Sequence, residues 1–223
     1  MSSLKQQMDV LTTTFLSMSA LVEEMLEEAF RAFLRRDSDL AQAVMDKDDA
    51  IDVLDNALDE MCLRLLALSN PVAADLRYVV AVMRMTRELE RIADEACNVM
   101  EHTMTLCALP LTESNTVMRS FVEHSASMFR NTVDAFRNRD AELAMKTCGM
   151  ENMADGLYTQ VVQTCLEEIS MQEPAAQTSL SNIFIARSLE RICDLSTNIC
   201  ELTIFAYDGN VIKHKWPSYP DLA

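Results

Sequence analysis

Residues that interrupt helices are scarce in this sequence, which has three glycines and five prolines among 223 residues. Because these two residue types destabilise helix interiors most, their scarcity allows long, nearly uninterrupted helices. Aromatic residues make up only 6% of the chain and methionines number 16, a balance that suits helical packing better than β-structure. The composition therefore predicts an all-α protein.

Basic residues are scarce as well: 19 lysines and arginines stand against 35 acidic residues, for a formal net charge of −16. Nucleic acids and anionic membrane surfaces attract basic proteins, so this balance disfavours both as partners. Cations and proteins with basic surfaces suit the charge better. A simpler interpretation of the acidic helices is that they keep the protein in solution.

Features of exported and membrane proteins are missing. The first residues, MSSLKQQMDVL, lack the basic-then-apolar arrangement of a signal peptide, and no run of about 18 apolar residues occurs. The seven cysteines are odd in number and form no C-x-x-C motif, which is typical of reduced thiols in a core. We therefore expect a cytoplasmic protein that reaches a membrane only through its partners.

Motifs for several kinds of chemistry are also missing. The sequence contains no Gly-rich phosphate loop, no EF-hand loop and no G-x-S-x-G motif. None of the three histidines follows a glutamate by three residues, so the Glu-x-x-His signature of di-iron helical bundles is absent. These absences argue against an oxygen-activating di-iron enzyme.

Apolar residues recur at spacings of three and four along most of the chain, as they do on the buried face of a helix. The pattern predicts six helices, over residues 4–36, 39–68, 71–105, 114–137, 141–170 and from the break at Glu173-Pro174 to residue 207. Asp39 is predicted to cap the second helix, and Gly209 to end the sixth in a left-handed conformation. Asn70 is predicted to cap the third helix, with Pro71 in its first turn.

One short phrase occurs twice, as LERIADEACNVME at residues 89–101 and as LERICDLSTNICE at residues 189–201. A second match, of Arg36–Ala41 with Arg139–Ala144, extends the similarity over most of each half. A repeat of about 100 residues is too long for a solenoid unit and indicates a duplicated bundle of three antiparallel helices. The predicted divisions are a first bundle at residues 1–109, a second at 110–207 and an irregular tail at 208–223.

Each copy of the phrase carries Glu-x-x-x-Asp, a spacing that places both carboxylates on one face of a helix. The preceding helix of each half offers a second acidic pair with the same spacing. Four carboxylates brought together by two neighbouring helices would repel one another, and a hard divalent or trivalent metal ion would relieve that repulsion. The predicted metal ligands are Asp48, Asp52, Glu90 and Asp94 in the first half, and Glu151, Asp155, Glu190 and Asp194 in the second half.

Acidic residues four apart are, however, common on solvated helix faces. Arg87 and Arg91 could pair with such carboxylates as ordinary surface ion pairs, worth about 0.3–0.5 kcal/mol each. The residues alone thus leave open a second interpretation, a metal-free acidic scaffold that binds basic partner surfaces directly.

The two copies of the phrase resemble the paired signatures of the PhoU family of phosphate-transport regulatory proteins. Residues 71–84, PVAADLRYVVAVMR, resemble the stretch that precedes the first signature in that family, and the similarity covers about residues 8–207. The resemblance implies two three-helix bundles related by pseudo-twofold symmetry. It also implies metal clusters, with iron, zinc or manganese as the ion, at the eight carboxylates named above.

The resemblance further implies an accessory regulator that is not an enzyme. Proteins of this family couple the ATPase subunit of a phosphate ABC transporter to the sensor histidine kinase of the phosphate regulon. They repress phosphate-starvation genes when phosphate is plentiful, and a homodimer is common. We expect the same partners and assembly for this chain.

Two departures from the family pattern distinguish the halves. The glycine that usually precedes the signature aspartate is Ala93 in one copy and Cys193 in the other, and we expect the Cys193 thiol to point into the core. Tyr158 stands where the first half has Asp55, so we expect the first cluster to be the richer in carboxylates.

Overall fold

The computed structural model describes residues 4–110, 116–171 and 176–212, and these residues form eight helices and no strand. The helices are α1 (Leu4–Arg35), α2 (Ser38–Met45), α3 (Asp48–Leu68), α4 (Ala74–Cys107), α5 (Thr116–Asn138), α6 (Ala141–Cys148), α7 (Glu151–Met171) and α8 (Ala176–Asp208). The predicted all-α class and the duplicated arrangement are confirmed. The predicted break at Pro174 and most of the predicted tail lie outside the described residues.

The second and fifth predicted helices are each divided in two, so their prediction as continuous helices is wrong. Residues 46–47 separate α2 from α3, and residues 149–150 separate α6 from α7. At Asp46 and Gly149 the backbone ψ is −11° and −13°, well away from the helical value of about −42°, and the first segment ends there. As a consequence, Asp48 and Glu151 become the first residues of α3 and α7.

The start of α2 differs from the prediction as well. Asp37, and not Asp39, is the cap, because its carboxylate accepts a hydrogen bond from the N–H of Leu40 at 3.0 Å. Asp39 lies inside the first turn, where its charge favours the helix dipole instead. Asp140 caps α6 in the same way, through the N–H of Leu143 at 2.9 Å.

The predicted start of the third long helix is also wrong. Helix α4 begins at Ala74, so Asn70 does not cap it and Pro71 is not in its first turn. Asn70 and Ala73 have φ of 44° and 49°, a left-handed backbone that a right-handed helix cannot contain. At the other end of the chain Gly209 has φ of 76° directly after α8, as predicted.

The main hydrophobic core of the described structure runs through both halves. The third long helices of the two halves, α4 and α8, pack against each other along the most extensive helix contact in the described structure. Phe15 meets Phe136 edge to face with ring centroids 4.6 Å apart, and Phe136 stacks on Tyr78 at 6.2 Å. Because α1, α4 and α5 meet in these contacts, we expect the halves to unfold together, and the division at residue 109 stays a prediction.

All seven cysteines are free thiols, and five of them are buried. Cys193 is fully buried and lies 3.4 Å from the Ser125 hydroxyl, so its thiol points into the core as predicted. Cys97 and Cys107, both on α4, are only half-buried. Among the described helices, none is long and apolar enough to cross a membrane.

Candidate functional site

The structure brings the predicted carboxylates together in two groups. Helix α3 packs beside α4 in the first half, and α7 packs beside α8 in the second half. The residues of each group are half-buried or exposed along these helix pairs. We term Asp48, Asp52, Glu90 and Asp94 the first cluster, and Glu151, Asp155, Glu190 and Asp194 the second cluster.

Burial and mutual repulsion both disfavour charge in the first cluster. Partial burial is the main reason that the pKa values of Asp48, Glu90 and Asp94 are raised, although much of the Asp94 side chain still contacts solvent. Repulsion between like charges raises these pKa values further, because Asp94 and Asp52 each raise the pKa of Asp48 and of Glu90. Asp52 has the same effect on the pKa of Asp94. The four carboxylates are therefore near neighbours and not independent surface groups.

Glu90 is the least satisfied carboxylate of the first cluster. Its Oε2 is buried and has no hydrogen-bond partner among the described residues, and Arg87 Nη1 lies 3.7 Å away as a distant ion pair. Asp55 raises the Glu90 pKa further, so a fifth carboxylate stands nearby where the second half has Tyr158. A buried oxygen without a donor costs free energy, which a bound cation would remove.

The second cluster repeats this arrangement. Burial raises the pKa values of Glu151, Glu190 and Asp194 most. Asp194 and Asp155 then raise the pKa of both glutamates. Thr197 Oγ1 is buried near Glu151 and has no hydrogen-bond partner among the described residues. The two halves thus hold comparable groups of acidic side chains, each between a shorter helix and a longer one.

The donor chemistry of both clusters fits a metal ion with oxygen ligands. In the side-chain arrangement of the described residues, however, no three His, Cys, Asp or Glu side chains are close enough to hold one ion together. Asp52, Asp94 and Asp155 are exposed, so their carboxylates are free to rotate toward an ion. Metal binding by the eight residues therefore stays a prediction, and it requires side-chain rotation.

Sequence reasoning missed one thiol of the first cluster. Cys97 is a near neighbour of Asp48, and its presence partly offsets the rise in the pKa of Asp48. Burial and the charges of Asp48 and Asp94 raise the pKa of Cys97 to about 12. Its spacing was available as a signal, because Cys97 follows Asp94 by three residues and shares its side of the helix. Its neighbour Asp48 becomes evident only once α3 is seen to begin there.

A second missed feature links the two halves. Arg191 on α8 donates from Nε to Glu95 Oε1 on α4 at 2.6 Å, and Asn98 donates from Nδ2 to Glu95 Oε2 at 3.1 Å. Asn98 therefore orients a carboxylate on its own helix that is not one of the predicted ligands. Glu95 follows Asp94 and Arg191 follows Glu190, so this ion pair joins the chain neighbours of one predicted ligand from each cluster.

Comparison with known sequences extends over nearly the whole chain. The family model of the PhoU domain matches twice, at residues 15–103 and 118–203. The phosphate-specific transport system accessory protein PhoU homolog of Pseudomonas aeruginosa is 36% identical over 209 residues, which is 89% of this chain and 83% of that protein. The PhoU protein of Escherichia coli strain K12 is 30% identical over 211 residues, covering 93% of this chain and 86% of its own.

Solved structures agree with these matches. The crystal structure of PhoU from Pseudomonas aeruginosa has a TM-score of 0.89 at 31% identity, over 92% of this chain and 99% of that chain. The crystal structure of the phosphate transport system regulatory protein PhoU from Streptococcus pneumoniae has a TM-score of 0.85 at 25% identity, over 94% of this chain and 99% of that chain. With the same domain matched in both halves and its fold shared along the chain, this protein belongs to the PhoU family.

Proposed function

We propose that the chain regulates phosphate uptake and phosphate-starvation signalling as an adaptor between a phosphate ABC transporter and a sensor histidine kinase. Its curated relatives are named as accessory proteins of the phosphate-specific transport system. The observation that carries the proposal is the pair of equivalent acidic clusters built on one shared core. Two such surfaces in a fixed relation suit a protein that contacts more than one partner.

In this proposal both clusters hold metal ions. Asp48, Asp52, Glu90 and Asp94 would bind through carboxylate oxygens in the first half, as the four residues of the second cluster would in the second. The ions would supply positive charge where the carboxylates repel, and the buried Oε2 of Glu90 supports this assignment. The protein's own part is to hold α3 against α4, and α7 against α8, which sets the shape that a partner contacts.

In this proposal the protein is a binding module and carries out no catalysis. Its partners would be the ATPase subunit of the transporter and the sensor kinase, and it would work in the cytoplasm because both partners present protein surfaces there. Its assembly would be a homodimer, which sedimentation of the purified chain measures.

A second candidate is a metal-free scaffold whose acidic faces bind basic partner surfaces directly. One observation favours it: no three ligating side chains converge on one point in the described residues. The net charge of −16 would then provide the attraction, and salt would weaken it steeply.

Partner binding separates the two candidates. The purified chain is tested against the ATPase subunit and the cytoplasmic part of the kinase, first as isolated, then after a chelator, then after Mn²⁺ is returned. The metal-dependent adaptor loses binding with the chelator and regains it with Mn²⁺. The metal-free scaffold is indifferent to the chelator and loses binding as salt rises. An absence of binding to either partner in every condition contradicts the adaptor function.

Elemental analysis after mild purification tests the metal ions by themselves. We expect more than about one ion per chain in the wild type, and a loss when Asp94→Ala is combined with Asp194→Ala. Glu123→Gln on α5 is the control, since it removes an exposed carboxylate outside both clusters. Less than about one ion per chain, unchanged in the double variant, contradicts metal binding.

A further inference from the structure

The chain turns back after α8 and runs along the helix pair α4 and α8. Gly209 has φ of 76° directly after α8 and lies against the side chain of Arg77, in the first turn of α4. Three residues later, Ile212 lies in a groove that Glu88 also lines, eleven residues further along α4. The returning segment therefore leads from the start of α4 toward its middle.

That groove, which we term the outer groove, is lined by Glu88 of α4 and by Glu201, Leu202 and Phe205 of α8. The two glutamates give it carboxylates, and the leucine and phenylalanine give it apolar surface. Its free volume is about 110 Å³, whereas small-molecule pockets usually have about 300–1,000 Å³. A chain segment laid across the outer groove therefore fits it better than an enclosed small molecule.

The outer groove leads toward the ion pair between Glu95 and Arg191. Helices α4 and α8 are antiparallel, because Glu88 shares the groove with Glu201 while Glu95 pairs with Arg191. Along α4, Glu95 lies seven residues, or about 10 Å, beyond Glu88. The Arg191 side chain is 40% exposed, so a segment that continues in this direction can contact it.

Residues 213–223, which follow Ile212 outside the described part of the chain, suit such a path. Their sequence, KHKWPSYPDLA, begins with two lysines around a histidine, in a protein whose net charge is −16. Trp216 comes next and is the single tryptophan of the sequence. Four residues of extended chain span about 13–14 Å, which is enough to bring Trp216 from the groove to the ion pair.

The charges along this path are complementary to the lysines. Glu88 and Glu201 line the groove, and the ion pair beyond it adjoins one predicted ligand from each cluster. Arg84 also lines the groove, and Arg91 pairs with Glu88 at 2.9 Å. Both arginine side chains are in contact with solvent, which screens their repulsion of a basic segment.

We propose that residues 213–223 bind back onto the outer groove of their own chain. Lys213 and Lys215 then face the carboxylates of the groove and of the neighbouring clusters, and the indole of Trp216 covers the guanidinium of Arg191. A guanidinium is attracted to the face of an indole, and the lysines add an attraction that salt weakens. The binding needs no metal ion, so it stands independently of the proposed function.

Quenching of tryptophan fluorescence by acrylamide tests this binding, because Trp216 is the sole source of tryptophan emission. We expect quenching of the full chain to be several-fold weaker than that of the free peptide 213–223, and its emission to lie at shorter wavelength. Raised salt should restore part of the quenching. Lys213→Glu combined with Lys215→Glu should bring the quenching close to that of the free peptide.

The substitution Glu201→Lys tests the groove side of the contact and should increase quenching in the same way. Glu123→Lys is the matched control, because it makes the same change of charge at an exposed position of α5, outside the groove, and should leave quenching unchanged. The double lysine variant changes no residue of the described helices, so it keeps the test valid should Glu201→Lys fold poorly.

Three results would overturn the proposed binding. Quenching of the full chain that is as strong as that of the free peptide shows that the segment is not bound. Protection that persists in both the double lysine variant and Glu201→Lys shows that the segment binds elsewhere. Protection that is lost on dilution shows that it binds a second copy of the chain.

Discussion

Neutralising one carboxylate of the first cluster should raise the thermal stability of the metal-free protein and lower that of the metal-bound protein. In the substitution Asp94→Asn the side chain keeps its size and loses its charge. Four carboxylates stand around it: it raises the pKa of Asp48 and Glu90, while Asp52 and Glu95 raise its own. The variant therefore removes four repulsions from the metal-free protein and one predicted ligand from the metal-bound protein.

The magnitude follows from the number of neighbours. Like charges at this spacing on exposed helices cost about 0.2–0.5 kcal/mol per pair. Arg87 and Arg91 lower the pKa of Asp94, and losing two such half-exposed attractions costs about 0.3–0.5 kcal/mol each. The metal-free variant should be more stable than the wild type by about 0.5 kcal/mol, a rise of about 1–2 °C in Tm.

Bound metal should reverse the order of stability of the wild type and the Asp94→Asn variant. An ion present at about one hundred times its Kd stabilises the native state by about 2.7 kcal/mol, or about 5–10 °C for a chain of this size. The wild type should gain this increment, and Asp94→Asn should gain much less.

Thermal unfolding followed by circular dichroism measures both Tm values, with and without chelator. Glu123→Gln, which makes the same change in net charge on α5, should unfold like the wild type in both conditions. A metal-free Asp94→Asn that is less stable than the wild type, or an equal metal response in both proteins, would refute the reasoning.

Three further predictions concern stability. The native pKa values of six cluster carboxylates are raised above the ordinary 3.8 of Asp and 4.5 of Glu, so the native state binds more protons than the unfolded state. Their contribution to the stability of the native state is fully present below those ordinary values and is lost as pH rises through the native pKa values. The chelated protein should therefore have a higher Tm near pH ~5 than near pH ~7. A lower Tm near pH ~5 would contradict this. Phe136→Ala, which empties the aromatic contact between the halves, should cost about 3–5 kcal/mol in urea unfolding and keep a single transition, whereas two transitions would show that the halves unfold separately. Asp37→Ala and Asp140→Ala each remove a helix cap and should cost about 0.5–2 kcal/mol by the same measurement, with Asp39→Ala costing less than Asp37→Ala.

The long helices could be predicted because their information is local and repeated. Apolar residues at spacings of three and four recur along each of them, and Gly209 provides a stop that needs a left-handed backbone. The two breaks could not be predicted in this way. Asp46-Lys47 contains neither glycine nor proline, Gly149 is the one helix-weakening residue at the second break, and the apolar pattern continues across both breaks. Likewise Asn70 and Pro71 fit a helix start by residue type, but the left-handed backbone at Ala73 delays the helix.

The clusters were predictable for a different reason. Acidic pairs four residues apart, on helices joined by short connections, are expected on neighbouring helix faces, and in the structure the members of each set are near enough to repel one another. The surroundings of the clusters depend on contacts between helices and not on spacing along one helix. The position of Asp48 beside Cys97 depends on where α3 begins, and the pairing of Arg191 with Glu95 depends on how α4 meets α8.

A phosphate-starvation reporter tests the central claim most directly. It is measured at high phosphate in the organism that encodes this chain, in a deletion strain and in the same strain supplied with either the wild type or the combined Asp94→Ala and Asp194→Ala variant. A regulator that depends on its clusters predicts a silent reporter with the wild type, and an active reporter in the deletion strain and with the variant at equal protein level. A reporter that stays silent in the deletion strain at high phosphate would contradict the account.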